Sequence, residues 1–286
     1  MKELVVLSGK GGTGKTTIVA SFAALTKDKV LVDCDVDAAD LHLLLQPDVK
    51  KSEEFWSGKT AVIDKNFCTG CGVCEQVCRF DAIENFKVDH IPCEGCGFCF
   101  HVCPENTIRM KDNLAGHWFI SETKYGPLVH ARLGIAQDNS GKLVALVRQQ
   151  AKVLAQEQGF NYILSDGPPG IGCPVISSLS GTNLALLITE PTLSGMHDLE
   201  RVLGVCGHFG VPAVVCINKY DINEENATGI EEFCRDMGVE VISKLPFDNV
   251  VTEALVKGLP VVEYSTNGIA REVELLWQNI FRVLEN

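Results

Sequence analysis

The sequence predicts an α/β protein: a mostly parallel sheet with helices on both faces, interrupted by one small cysteine-rich insert. Three observations carry this expectation. Short apolar runs alternate with helical patterns along most of the chain. The first run, Glu3 to Leu7, leads straight into the glycine-rich string Gly9-Lys10-Gly11-Gly12-Thr13-Gly14-Lys15-Thr16. From about Phe55 to Lys111 the alternation stops, and cysteines recur at fixed spacing.

A chain of 286 residues has room for about two domains. Hydrophobic residues make up 46% and charged residues 22%, the balance of an ordinary globular protein. The formal net charge of −12 argues against a general attraction to phosphate backbones, so no nucleic-acid partner is expected. No signal peptide precedes the thirteen cysteines, which points to a reducing compartment, the cytoplasm. The uncharged stretch Gly167 to Thr189 holds Pro168, Pro169, Pro174 and Asn183. A loop, a short helix and a strand are expected there, not a membrane span.

The elements follow in order. Glu3 to Leu7 reads as a buried parallel strand, with a helix starting near Lys15. Val30 to Val32 is a second buried strand, ending in the acidic string Asp33, Asp35, Asp37 and Asp40. Residues 55–111 hold too few aliphatic side chains for a core of their own, so bound metal would have to organise them. Beyond them, Ser140 to Gln158 is helical in pattern. Tyr162 to Leu164, Leu184 to Ile188 and Ala213 to Ile217 read as strands, with ligands expected at their carboxyl ends. The last helix, about Gly268 to Leu284, carries Val273, Leu276, Trp277, Ile280 and Leu284 at helical spacing. That stripe reads as core packing, because a polar face with Glu272 and Glu274 and few cations suits no stable membrane anchor.

Gly9 through Thr16 matches Gly-x4-Gly-Lys-[Ser/Thr] after a strand and before a helix. Its glycines let backbone N–H groups curl around phosphate oxygens at a helix N-terminus. Lys15 would reach the β and γ phosphates, and the Thr16 hydroxyl would sit on Mg²⁺.

Cys68-x2-Cys71-x2-Cys74-x3-Cys78 and Cys93-x2-Cys96-x2-Cys99-x3-Cys103-Pro104 are the two-cluster bacterial ferredoxin run, written twice. The segments after Cys78 and Cys103 form an internal repeat, Arg-Phe-Asp-Ala-Ile against Pro-Glu-Asn-Thr-Ile. The fourth cysteine of each run serves the other cluster. One [4Fe–4S] centre is therefore expected on Cys68, Cys71, Cys74 and Cys103, the other on Cys93, Cys96, Cys99 and Cys78. Two four-thiolate zinc sites are the alternative. Of the remaining cysteines, Cys34, Cys206, Cys216 and Cys234 read as small core residues. Cys173 reads as either a metal ligand or a buried thiol at a helix start.

The second lysine of the loop, Lys10, brings a resemblance. Gly9-Lys-Gly-Gly-x-Gly-Lys-Thr-Thr17 resembles the deviant Walker A loop of the MinD, ParA, Mrp and nitrogenase iron-protein superfamily of P-loop ATPases. Leu31-Val-Asp-Cys-Asp-Val-Asp resembles its switch I, and Ser165-Asp166-Gly-Pro-Pro-Gly170 its switch II. Pro246-Phe247-Asp248, with Glu253-Ala254 and Gly258-Leu259-Pro260, resembles its adenine-side loop. With the insert included, the whole chain resembles MinD superfamily ATPases that contain a ferredoxin domain. Residues 1–54 and 112–286 would then be the ATPase domain, and 55–111 the insert.

The resemblance implies roles. Lys10 would reach phosphates bound by the partner subunit of an ATP-sandwiched dimer. Asp35 would orient the attacking water, with Asp33 supporting it or Mg²⁺. Asp166 would hold Mg²⁺ through water, and the Gly170 N–H would sense the γ-phosphate. Asn218 would face adenine, beside Pro246 and Asp248. Asn218-Lys219-Tyr220-Asp221 also matches the guanine motif of GTPases, which keeps Asp221 as a guanine reader in the alternative. Asp37 and Asp40 belong either to the catalytic loop or to a solvated acidic one.

The expected function is an ATPase that couples ATP-dependent dimerisation, as a homodimer or with a related ATPase, to electron transfer toward a redox or metallocofactor-assembly partner. Iron–sulfur cluster delivery of the Mrp type is the alternative, and spatial positioning of the MinD or ParA type a third reading.

Overall fold

The computed structural model describes residues 1–135 and 140–286. Its strands are β1 (Lys2–Ser8), β2 (Lys29–Asp33), β3 (Asp48–Ile63), β4 (Ile83–Glu84), β5 (Lys87–Val88), β6 (Ile108–Thr123), β7 (Gly126–Leu133), β8 (Tyr162–Pro169), β9 (Leu184–Thr189), β10 (Ala213–Asn218) and β11 (Glu240–Leu245). Its helices are α1 (Lys15–Leu25), α2 (Leu41–Leu45), α3 (Val73–Gln76), α4 (Phe98–Val102), α5 (Ser140–Gln158), α6 (Cys173–Leu179), α7 (Leu193–His208), α8 (Glu224–Asp236), α9 (Asn249–Val256), α10 (Val261–Tyr264) and α11 (Ile269–Glu285). Two compact units emerge. The first takes Met1–Ser52, Phe119–Ala131 and Gly141–Asn286, and the second Glu53–Trp118 and Arg132–Ser140.

In the first unit the strands run in the order β11-β10-β9-β1-β8-β2-β7, each neighbouring pair parallel. Strand periodicity explains why both faces are covered. On β1, Leu4 and Val6 point into the core under α1, α2 and α11, whereas Val5 and Leu7 point into the core under α6, α7 and α8. Leu186 and Leu187 on β9 divide in the same way. A strand buried on both faces must be apolar without alternation, which is why these runs are legible.

The terminal stripe packs inward. Val273, Leu276, Trp277, Ile280 and Leu284 of α11 are buried, and the Trp277 ring lies 4.9 Å from that of Phe22 on α1. Among the described residues no helix is long and apolar enough to cross a membrane. The stretch from Gly167 to Thr189 holds the end of β8, then α6, then β9.

The strands β3, β6, β7 and β11, and the short β4–β5 pair, were not foreseen. Asp48–Ile63 is mostly exposed and carries lysine and glutamate where a strand pattern needs apolar residues. Main-chain pairing holds such a segment, and pairing leaves little trace in side-chain pattern.

The second unit folds around Ala61, Cys74, Ile83 and Ile108, with Ile63, Val88 and Met110 packed against them. Its β4–β5 hairpin turns through Asn85 and Phe86 at φ 48° and 56°. Consecutive left-handed residues make the tight turn that matches strand twist, an unusual conformation for a bulky side chain.

Candidate functional site

The first candidate site lies at the carboxyl ends of the parallel strands. Strand β1 ends at Ser8, and the loop Gly9 to Gly14 climbs to α1. Gly14 has φ 94°, and a Cβ there would lie 2.7 Å from Asn218 Nδ2, so only glycine fits. Asn218 Nδ2 donates to Thr13 O at 2.8 Å, tying the end of β10 to the loop. Lys15 is buried, and its Nζ donates to Ser8 Oγ at 2.9 Å. Burial pushes the Lys15 ammonium below its ordinary value, with Asp166 and then Asp35 opposing.

Asp166 and Asp35 act on this lysine, and Asp33 lies beside Asp166. Parallel register places Asp33 at the end of β2 beside Asp166 on β8. Asp33 accepts backbone N–H groups from Asp35 at 3.1 Å and Leu41 at 3.3 Å. Asp35 accepts that of Ala38 at 3.3 Å. Burial raises the Asp33 carboxyl well above its ordinary value, and the neighbouring Asp166 raises it further. Burial also raises Asp166, against the Thr16 hydroxyl that hydrogen bonds it and the Lys15 charge. Asp166 Oδ1 and Thr13 Oγ1 are buried without a hydrogen-bond partner. Such a set suits a divalent cation, whose charge would let the buried carboxyls ionise together.

A cleft of about 550 Å³ opens beside the loop. Its lining includes Gly12, Gly14, Lys15, Thr16, Thr17, Asp40, Asn218, Pro246 and Asp248. Asp37 lies exposed in the loop beyond β2. Gly11 sits with open space around its Cβ position, and Gly9 is packed so tightly that a Cβ would meet Asp198 at 2.2 Å. The Gly170 N–H donates to Ser8 O at 2.9 Å. Asp221 is outside the lining: its Oδ1 accepts the Phe247 N–H at 2.7 Å, which braces the loop after β11.

Sequence reasoning missed two features. Val251, Val261, Ile269 and Val273 give the cleft an apolar wall; the first two lie in or beside the stretch from Pro246 to Pro260, and the last two in the helix read as core. Glu190, one residue past β9, binds both Lys10 at 3.4 Å and Lys219 at 2.7 Å. A charged residue directly after a buried parallel strand was the available signal, as it was for Asp33.

The second candidate site belongs to the second unit, and there the repeat is conformational as well as chemical. Gly70 and Gly95 have φ 71° and 61°, and Gly72 and Gly97, at the starts of α3 and α4, have φ 76° and 74°. A Cβ on Gly95 would collide with Lys59 O at 1.9 Å. Two hollows result. Cys68, Cys71, Cys74 and Cys103 line one, together with Phe86 and Ile108. Cys78, Cys93, Cys96 and Cys99 line the other, together with Phe80 and Phe98. The fourth cysteine of each run thus sits with the first three of the other. Among the described residues no group of three or more His, Cys, Asp or Glu is gathered to hold a single metal ion. Four thiols line each hollow and could hold a metal group there.

The other cysteines divide as their surroundings dictate. Cys34, Cys206, Cys216 and Cys234 are buried, and burial lifts the Cys206 and Cys234 thiols to about 11. Cys173 does begin α6, but it is exposed and not a buried thiol. The turn after Gly172 leaves the first helical position facing out.

A strand, a glycine loop, a buried lysine and paired aspartates at neighbouring strand ends make a nucleotide-binding arrangement. The family model described as the CobQ/CobB/MinD/ParA nucleotide binding domain matches residues 4–261. The chain belongs to that family. It is 31% identical over 281 residues to the uncharacterized protein MJ0578 of Methanocaldococcus jannaschii, spanning 97% of this chain and 96% of that one. Its fold is similar to the cell division ATPase MinD of Pyrococcus furiosus, with a TM-score of 0.58, 21% identity and 99% of both chains covered. It is also similar to the septum site-determining protein MinD of Pyrococcus horikoshii, solved with Mg-ADP, at TM-score 0.58 and 21% identity over 98% and 95% of the chains. At these identities the structural likeness establishes the MinD-type P-loop fold.

Proposed function

We propose that this member of the MinD/ParA group is an ATP-binding and hydrolysing iron–sulfur protein, in which ATP-dependent dimerisation governs electron transfer to a partner protein. The observation that carries the reading is the gathering of eight cysteines into two crossed sets, in a chain that also holds a nucleotide cleft.

In the cleft, the loop N–H groups and Lys15 would bind the phosphates. Thr16, Asp33 and Asp166 would hold Mg²⁺, directly or through water, and Asp35 would orient the attacking water. Lys10 would reach across to the partner subunit, as in a deviant Walker A loop, and Gly170 would exchange its bond to Ser8 O for the γ-phosphate. Asn218, Pro246 and Asp248 would frame adenine; with Asp221 committed to the Phe247 N–H, nothing of the guanine motif beyond Asn218 and Lys219 reaches the cleft.

In the ferredoxin-like insert, residues 55–111, Cys68, Cys71, Cys74 and Cys103 would hold one [4Fe–4S] cluster. Cys93, Cys96, Cys99 and Cys78 would hold the other. Such clusters supply one-electron transfer at low potential. The insert follows switch I in the chain, so reordering Asp33 to Asp40 around a γ-phosphate would pull on the segment that carries the thiols. Four thiols per hollow favour retention over delivery to another protein. A MinD-type positioning role, suggested by the names of the relatives, leaves the thiol sets without a task.

The test is anaerobic purification with metal, sulfide and ATPase assays. About eight irons and eight sulfides per chain are expected, with a spectrum that bleaches on dithionite and Mg-dependent release of phosphate from ATP. Zinc without sulfide overturns the electron-transfer reading, and absent ATP turnover overturns the ATPase reading.

A further inference from the structure

The two thiol sets are related by the internal repeat, so their surroundings can be compared position by position. Cys78 and Cys103 are the crossing ligands of the two hollows. Four residues after each comes a matched pair, Ala82 and Thr107, each followed by a buried isoleucine, Ile83 and Ile108. At both places a main-chain N–H reaches the crossing sulfur: the Ala82 N–H donates to Cys78 Sγ at 3.4 Å, and Cys103 receives those of Thr107, Glu105 and Asn106. The side chains at the matched position differ. Thr107 is 6% exposed, and its Oγ1 lies 3.5 Å from Cys103 Sγ. Ala82 has nothing to offer Cys78.

A thiolate that ligates iron carries no proton, so in the loaded protein the Thr107 hydroxyl must be the donor in this bond. Reduction adds negative charge that spreads onto the ligating sulfurs. An O–H dipole aimed at one of them stabilises the reduced state more than the oxidised one, and it is strengthened by burial away from water. Among the described residues lining the other hollow there is no hydroxyl to make the same bond.

We propose that Thr107 is a positioning residue that makes the two clusters inequivalent, raising the reduction potential of the one held by Cys68, Cys71, Cys74 and Cys103 above that of its repeat-related twin. The proposal rests on the iron–sulfur reading above and deepens it. One electron delivered to the oxidised pair by dithionite then resides on that cluster, and a second reduces the other.

The test is a potentiometric titration of the anaerobically purified full-length chain, followed by electron paramagnetic resonance, on wild type, Thr107→Val and Thr107→Ser. Wild type should show two separate potentials. Thr107→Val should lower the higher one, by roughly a tenfold shift in the reduction equilibrium, about 59 mV for a one-electron couple, and leave the lower one in place. Thr107→Ser, which keeps the hydroxyl, should retain the wild-type value. Thr107→Ala is the second removal should the valine variant not load, since the repeat already accommodates alanine at Ala82. Two equal potentials in wild type, unchanged potentials on removal, or a shift confined to the lower one each overturn the proposal. Its failure with eight irons present leaves the iron–sulfur reading standing, whereas a wild-type protein without sulfide ends both.

Discussion

Lys10 Nζ lies 3.4 Å from Glu190 Oε2. The other oxygen of that carboxylate accepts a 2.7 Å hydrogen bond from Lys219 Nζ. Burial alone would raise the Glu190 carboxyl, but the bond and charge of Lys219, followed by those of Lys10, bring it below its ordinary value. One carboxylate thus restrains both the loop lysine and a lysine of the cleft wall. A Lys10 that reaches a partner subunit has to leave Glu190 first.

Glu190→Gln should therefore strengthen ATP-dependent dimerisation. Lys10 is about a third exposed in this pair, so the released interaction is a partly screened one of about 0.5–1 kcal/mol, or roughly a two- to fivefold lower dimer dissociation constant for each Lys10 that crosses. Sedimentation with Mg-ATP in the Asp35→Ala background, which is expected to trap ATP, measures it. Weaker dimerisation would mean that Glu190 serves the dimer and does not hold Lys10 back.

Crossed thiol sets make a specific prediction about metal loss. Cys103→Ala should cost about four irons per chain and remove the signals of the cluster shared with Cys68, Cys71 and Cys74, and Cys78→Ala those of the other. Iron and sulfide analysis with spectroscopy of each variant decides this. Loss from the mutated residue's own run would refute the crossed arrangement.

Nucleotide and redox state should be coupled. If ATP closes the switch region and moves the insert, cluster reduction must change nucleotide affinity by the same free energy, typically about 1–3 kcal/mol. Titration of ATP and ADP into oxidised and dithionite-reduced protein, with cluster potentials measured in each nucleotide state, checks both sides of the cycle. Equal affinities and equal potentials would make the insert an independent passenger.

His130 should make the first unit acid-sensitive. Burial, and after it the neighbouring His42, pushes its imidazole down to about 4, and Nε2 pairs with Ser121 Oγ at 2.9 Å. The folded state therefore binds fewer protons than the unfolded state between about pH 6.5 and 4, so stability falls as pH drops through that window. At pH 5 the loss should be about 1–2 kcal/mol. Urea unfolding at pH 7.5 and 5.0, for wild type and His130→Gln at equal iron content, isolates the contribution. Identical pH dependence in the two proteins would exclude His130 as the source.

The sequence by itself determined the elements whose causes are local. A loop that must wrap phosphate needs glycines and a lysine at set positions, so Gly9 to Thr17 is legible as text. A doubly covered strand must be apolar throughout, so β1, β2, β8, β9 and β10 are legible too. Fixed spacing made the two cysteine runs readable before any fold was known. Tertiary structure alone decided the rest. Parallel register brought Asp33 beside Asp166, although they are far apart in sequence. Folding placed Glu190 between Lys10 and Lys219, turned Cys173 outward, and spent Asp221 on the Phe247 amide. It also paired the charged segments β3 and β6 through their main chains, which carry no side-chain signature. Thr107 shows both parts at once: its place in the repeat is written in the sequence, but only packing brings its hydroxyl 3.5 Å from Cys103. Distances between residues remote in sequence are set by the sheet and its register, and no local pattern records them.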